Sequence, residues 1–139
     1  MAVTAANVRS LEGAILRDFD AGGSGSLGNA IYIASDDDVE QTDANLAVSS
    51  AGRGVVVAVH KAGQSTFAAG DRVTVCLFGP VAGFSSLTPN TRQYVGETAG
   101  AIVETAPSGA GTWTWAIGYA ERADVLFVMP GLAAPSSNS

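Results

Sequence analysis

The chain has 139 residues and a formal net charge of −6, with 47% hydrophobic and only 14% charged residues. This length and hydrophobic share predict one folded domain with a core, and they exclude global disorder. Because Lys61 is the only lysine and acidic residues dominate, the sequence lacks the basic surface that nucleic acids and anionic membranes require, so we expect neither as a partner. The single cysteine, Cys76, excludes an internal disulfide and is typical of folding in a reducing cytoplasm.

The first twenty residues permit two interpretations. One is a helix, because apolar residues recur there at helical spacing. These residues are Val8, Leu11, Ile15 and Phe19. Gly13 weakens that helix by roughly 1 kcal/mol relative to alanine. The other interpretation, which we favour, is an arm over residues 1–12 followed by a short strand over 14–19. The charges scattered through this region do not fit a signal peptide, and no apolar run is long enough for a membrane helix.

The rest of the chain has the pattern of short β-strands separated by glycine- and proline-rich turns. The predicted strands are 30–34, 46–50, 54–60, 72–78, 91–95, 101–104, 112–119 and 123–129. Gly79 and Pro80 are expected to stop or kink the strand 72–78. The pattern predicts a mostly β fold, a small compact β-barrel or sandwich of short antiparallel strands, over residues 13–131. Residues 132–139 are predicted to form a flexible tail.

Two motifs resemble parts of known binding sites, but neither meets the requirements of a dinucleotide site or a calcium site. The run from Gly23 to Gly28 matches G-x-G-x-x-G, but a β-type segment follows it, where a dinucleotide site needs a helix. Asp36, Asp37 and Asp38 could offer oxygens to Ca²⁺, but they lack the alternating spacing of a calcium loop. We interpret them as a solvated turn that could present a negative patch to a partner. No cofactor and no metal site is predicted.

The residues that could perform catalysis are also not part of a recognisable catalytic motif. His60 is the only histidine, and Cys76 lies in an apolar strand where a structural thiol is expected. The two could face each other on adjacent strands, but nothing marks an orienting partner or an oxyanion hole. We therefore predict that the protein is not an enzyme. Trp113 and Trp115 alternate along one predicted strand and are expected to serve either as core residues or as an interface hot spot.

Several segments carry a resemblance to a known family. They are 69–75, 78–83, 87–89, 94–100, 118–120 and 125–131, and they include Tyr94-Val95, Gly118-Tyr119-Ala120 and Val125-Leu126-Phe127-Val128. Over roughly residues 14–131 the chain resembles the head decoration (capsid cement) proteins of tailed bacteriophages. The resemblance implies a homo-oligomeric β-barrel, a homotrimer or a dimer, that binds the major capsid protein. It would be made in the host bacterial cytoplasm and would stabilise the expanded shell from the outer capsid surface of the virion.

In that family an N-terminal arm can add a strand to the capsid protein, a role that residues 2–12 could take here. The predicted capsid or oligomer contacts are Val3, Val8, Leu11, Phe84, Trp113 and Trp115. Two alternatives remain at this point. The chain could be another virion component, such as a head fibre base or a tail-tube subunit. It could also be a carbohydrate-binding module that uses Trp113 and Trp115, if both prove to be exposed.

Overall fold

Short antiparallel strands make up most of the fold, as predicted. The computed structural model describes residues 2–139, of which 45% are in strands and 5% in helices. The strands are β1 (Ala2–Val3), β2 (Arg9–Ser10), β3 (Ile15–Asp20), β4 (Gly25–Ser26), β5 (Ala30–Ile33), β6 (Val39–Gln41), β7 (Gly54–Val59), β8 (Thr66–Phe67), β9 (Arg72–Ala82), β10 (Phe84–Ser85), β11 (Arg92–Val95), β12 (Ile102–Val103), β13 (Trp113–Thr114), β14 (Ala116–Arg122), β15 (Val125–Val128) and β16 (Ser136–Ser137). A 3₁₀ turn spans Ala5–Asn7, and one short helix, α1, spans Ala47–Ser50.

The main sheet is organised around β9, an eleven-residue strand. Its path runs β12-β11-β14-β15-β9-β7-β5-β6, and β2 and β3 also pair with β9. The first part of β9 lies between β7 and β3, and its last residues lie between β15 and β2. A parallel bridge between Ala21 and Val39 joins the end of β3 to β6. The sheet therefore curls into a half-barrel.

The concave side of this sheet encloses the core. Its largest fully buried side chains include Ile31, Val55, Val75, Ile117 and Leu126. Val55, Val56 and Val57 of β7 are all buried. Val56 pairs with Val75 and Ala58 pairs with Thr74, so Val57 is an extra residue at which the side-chain alternation is interrupted.

A β-bulge interrupts the pairing of β9 with β3. Ile15 pairs with Phe78 and Leu16 pairs with Cys76, so Leu77 is an extra residue on the β9 side. Val73, Val75 and Cys76 are fully buried, and the half-buried Leu77 packs against the core cluster that contains them.

Gly79 and Pro80 do not stop β9. The strand continues to Ala82, and Pro80 pairs with Phe127 of β15. Gly79 has φ +120°, and a side chain there would meet the backbone of Ala14, so glycine is required at this close approach. The pair marks the point where β9 exchanges its neighbours.

The N-terminal segment differs from the predicted free arm. The strand at Ile15–Asp20 is confirmed and the helix alternative is wrong, but residues 2–10 pair with the sheet of their own chain. β1 pairs with β10, β2 pairs with β9, and the Leu11 amide donates to the Pro80 carbonyl at 3.0 Å. These backbone groups have partners in the same chain, and Val8 adds an apolar anchor that is 5% exposed.

The C-terminal segment is also docked, although the sequence predicts a flexible tail. β16 pairs with β13, and the Asn138 side-chain amide donates to the Pro107 carbonyl at 2.8 Å and to Thr112 Oγ1 at 3.0 Å. The polar residues that suggest fraying thus make specific hydrogen bonds to the 107–114 loop. A single asparagine supplies most of them, which composition does not reveal.

Two central elements also differ from prediction. Residues 47–50 form the helix α1 where a strand over 46–50 is expected, and the Ser50 hydroxyl donates to the Ala47 carbonyl and the Ser49 hydroxyl to the Asp43 carbonyl. The predicted strand 112–119 is divided into β13 and β14, which pair with different neighbours.

Candidate protein-binding surface

Three aromatic side chains from neighbouring strands of the sheet lie together. Phe78 of β9, Tyr119 of β14 and Phe127 of β15 form this group, which we call the outer aromatic face. Register places Tyr119 opposite Phe127, and Phe127 opposite Pro80, so these residues form one row across three strands. Arg92 of β11 extends the row because it pairs with Tyr119.

The rings of the outer aromatic face contact one another directly. Tyr119 and Phe127 are stacked with centroids 5.3 Å apart and an interplanar angle of 22°. Phe78 meets Phe127 edge to face, with centroids 5.1 Å apart and an angle of 88°. Both geometries are favourable for aromatic pairs. The three rings therefore form one contiguous aromatic group.

The exposed part of this face and the residues beside it are apolar. Ile15 is 58% exposed, Met129 49% and Phe78 42%. Ile15 lies opposite Phe78 in the register of β3 and β9, and Met129 follows β15 two residues after Phe127. Single exposed apolar residues are normal on a protein surface, but a contiguous apolar group with ordered aromatics is typical of a protein-binding site.

A second apolar area lies between α1 and the segment 131–135. Its most exposed side chains are Leu132 at 98% and Val48 at 74%. Ile33 lines the groove between α1 and this segment, and Leu46 directly precedes α1. The Arg53 guanidinium donates to the Gly131 carbonyl at 2.8 Å and fixes the base of this segment. Leu132 therefore projects from an anchored loop.

The predicted N-terminal contact residues have different environments. Val3 is partly exposed, Leu11 is half-buried and Val8 is buried in the main core cluster. Gly83, with φ +110°, lies so close to the Val8 backbone that a side chain there would collide with it. In this conformation Val8 stabilises the monomer and offers no surface to a partner.

Phe84, Trp113 and Trp115 complete the predicted contact set, and they do not share one surface. Phe84 and Trp115 are buried, and Trp113 is half-buried. The Trp115 indole N–H donates to the Gly52 carbonyl at 2.9 Å, and the Arg53 guanidinium lies 5.0 Å from the centre of its ring. The core interpretation is thus correct for Trp115, and the two tryptophans do not form the exposed pair that a carbohydrate site would need.

His60 and Cys76 have separate surroundings. His60 is exposed, and its Nε2 lies 2.8 Å from Thr74 Oγ1 and 3.6 Å from an oxygen of Asp18. Cys76 is buried, its thiol donates to the Gly79 carbonyl at 3.7 Å, and burial raises its pKa to about 11. A thiol in this environment stays protonated and is a poor nucleophile.

The acidic turn lies beside the outer edge of β3. Asp36, Asp37 and Asp38 line one wall of a cleft whose other wall includes Asp18 and Asp20. Asp20 is paired with Arg72 at 3.1 Å. Burial, followed by the charges of Asp36, Asp20 and Asp37, raises the pKa of Asp38. Across residues 2–139 no group of histidine, cysteine or acidic side chains has the geometry of a metal site.

The outer aromatic face was missed in the sequence, although a signal for it exists. Leu126 and Val128 are both buried, so Phe127 between them must point to the opposite side. Tyr119 is likewise flanked by buried Gly118 and Ala120. The same alternation rule that identifies core positions could have identified the exposed aromatic residues.

A scan of the sequence against protein-family models finds no match, and a search among curated proteins also finds none. Within residues 2–139 the structure contains no helix that is long and apolar enough to cross a membrane.

Proposed function

We propose that this chain is a structural protein of a tailed-bacteriophage virion, which binds the outer surface of the capsid and stabilises the expanded shell. The observation that carries the proposal is the outer aromatic face with its exposed flanks, Ile15 and Met129. The resemblance of residues 14–131 to head decoration proteins supplies the identity of the partner, the major capsid protein.

The surface has the physical properties of a contact that works by burial. Covering apolar area yields roughly 25 cal/mol per Å² before the costs of association are subtracted. Rigid aromatic side chains contribute much area with little loss of conformational freedom, and for this reason they are frequent hot spots. The mutual stacking of Tyr119 and Phe127 keeps this area ordered before any partner arrives.

Stabilisation of the shell follows from preferential binding. A protein that binds the expanded lattice and not its precursor shifts the equilibrium toward the expanded state by mass action. Many copies on one particle, each a trimer or a dimer, would add multivalency. The residues that line the groove beside Leu132 differ from those of the outer aromatic face. Contact with a second copy and contact with the capsid can therefore use different surfaces.

The experiment that tests this proposal is co-sedimentation of the purified protein with empty heads of the cognate phage. We expect saturable binding to expanded heads and little binding to unexpanded precursors. Bound heads should also resist heat or loss of salt better than bare heads. Absence of binding to expanded heads, or assembly of the protein into tubes or rings by itself, would reject the capsid-binding role in favour of another virion component.

A further inference from the structure

The outer edge of β3 is a free sheet edge. β3 spans six residues, Ile15–Asp20, and pairs with β9 on one side only. Apart from the parallel bridge between Ala21 and Val39 at the end of β3, no backbone hydrogen bond within residues 2–139 joins the other side of this strand to another segment. In an antiparallel pair every second residue directs its N–H and C=O away from the partner, so this edge offers a row of unused donors and acceptors.

The edge is long and partly apolar, which is unusual for a strand left open to water. Ile15 and Leu16 are both exposed, and Phe19 is half-buried. Proteins usually protect such edges with proline, a bulge or a covering loop. The bulge at Leu77 is on the β9 side, and β3 itself contains no extra residue. An incoming strand can therefore pair along most of the length of β3.

A second copy of β3 is a poor occupant for this edge. When two antiparallel strands are related by a two-fold axis, one residue must face its own copy, because facing side chains lie on the same side of the sheet. The registers that use the whole strand are centred on Arg17 or on Asp18. The first places two arginines opposite each other, and the second places two aspartates opposite each other. Like charges in facing positions destabilise the pair.

The charges beside the edge favour a basic partner, because the cleft is lined by five aspartates and by only two arginines, Arg17 and Arg72. Asp18 and Asp20 lie on β3 itself, and Asp36, Asp37 and Asp38 line the opposite wall of the cleft. Asp20 is neutralised by Arg72, but the turn aspartates have no cationic partner within residues 2–139. The carboxylates of this turn would attract lysine or arginine side chains from a strand lying along β3.

We propose that the free edge of β3 binds an extended polypeptide segment with alternating basic and apolar side chains, which adds a strand to the sheet. The backbone of the segment would pair with β3, its basic side chains would lie toward Asp36–Asp38, and its apolar side chains, on the other face of the added strand, would cover Ile15. This is β-augmentation, in which backbone pairing provides affinity and alternate side chains provide selectivity. It deepens the proposed function by naming a surface and a partner chemistry.

The test uses the full chain and a synthetic peptide of about ten residues that alternates lysine and valine, a length matched to a strand. Amide hydrogen exchange, followed by NMR, should slow by about tenfold or more at alternate positions of 15–20 when the peptide binds. Two control peptides separate the contributions. One replaces lysine with glutamate, and the other carries N-methyl groups that block backbone pairing. Neither control should protect β3.

A charge-matched pair of variants tests the acidic wall. Asp37→Asn with Asp38→Asn should weaken binding of the lysine–valine peptide by about fivefold, the effect expected of partly exposed charges. Asparagine tolerates the positive φ of 70° at position 37, so the turn should be retained. Glu121→Gln with Asp124→Asn removes the same charge from a distant turn and should leave the affinity unchanged.

Four results would overturn the proposal. They are protection by the glutamate peptide, protection by the N-methylated peptide, binding that maps away from residues 15–20, and concentration-dependent protection of β3 in the protein alone. The last would identify a second copy as the occupant. Because these experiments involve no phage heads, their failure leaves capsid binding untouched, and failure of head binding leaves the peptide result intact.

Discussion

Phe127 stacks on Tyr119 with their ring centroids 5.3 Å apart, and both side chains are half-buried although the residues on either side of each are buried. Alternation along the two strands therefore directs this pair away from the core. The capsid contact proposed above would cover its exposed part.

The first prediction concerns the exposed flank of this pair. Phe78→Ser with Met129→Ser should weaken binding to expanded heads by about tenfold or more, since hot-spot residues contribute upward of 1.4 kcal/mol. Both side chains are more than two-fifths exposed, so the fold should be retained. Co-sedimentation at a series of protein concentrations measures the change.

Leu132→Ser is the matched control for that experiment, because it removes an exposed apolar side chain from the other apolar area. We expect head binding to remain within about twofold of the original protein. If Leu132→Ser abolishes head binding while the double variant binds normally, the capsid-facing surface is the groove beside α1 instead.

The second prediction concerns the N-terminal segment. Deletion of residues 2–10 should lower the free energy of unfolding by at least about 2 kcal/mol, because it uncovers the site of buried Val8 and removes two strand pairings. Denaturant unfolding measures this loss. Val3→Ala, at a partly exposed position of the same segment, should cost less than about 1 kcal/mol. An unchanged unfolding midpoint after the deletion would show that the segment does not stabilise the barrel.

The third prediction separates the two tryptophans. Trp115→Phe leaves the buried Gly52 carbonyl without its donor and should cost about 1–3 kcal/mol of unfolding free energy. Trp113→Phe should change stability by less than about 1 kcal/mol, since the indole of half-buried Trp113 has no hydrogen-bond partner within residues 2–139. Equal losses in the two variants would contradict the assigned role of the Trp115 hydrogen bond.

The fourth prediction concerns acid stability. The backbone N–H of Thr88, and then the Thr88 hydroxyl and the Gln93 amide, donate to the Glu104 carboxylate and hold its pKa below the ordinary value of 4.5. A lowered folded-state pKa stabilises the protein above the unfolded-state pKa, and this contribution is lost as the pH falls through the folded-state value. Stability should therefore decline below about pH 4.5, and less steeply in Glu104→Gln.

Unfolding midpoints measured between about pH 6 and pH 3 give this slope. Glu97→Gln is the control, because the exposed Glu97 carboxylate has no hydrogen-bond partner within residues 2–139. Its pH profile should follow that of the original protein. Identical slopes for Glu104→Gln and the original protein would show that the Thr88 contacts do not persist in solution.

The sequence predicts the bounds of those strands that turn residues delimit. The strands at β3, β5, β7, β11 and β15 lie within a residue or two of their predicted bounds, because local alternation and turn residues determine them. It fails where one hydrogen bond or one bulge decides the structure. Leu77 is the extra residue of the bulge opposite β3. The docking of residues 136–138 depends on hydrogen bonds from the Asn138 side-chain amide.

The predicted site residues show the same division. The sequence leaves Trp115 open between a core and a contact role, and the structure places it in the core, whereas Val8 and Phe84 are predicted as contacts and are buried. Their burial depends on which distant segments pack over them, for example Gly83 against Val8. Sequence spacing carries no information on such long-range packing, so the surface could be found only once the strands were placed.

The route of β9 has a consequence for how the molecule unfolds. Residues 72–78 belong to one half of the sheet and residues 79–82 to the other, with no turn between them. Neither half can detach without breaking a strand that the other half also requires. We therefore expect a single cooperative transition, in which the amides of Val75 and Val81 exchange with solvent only through complete opening of the domain.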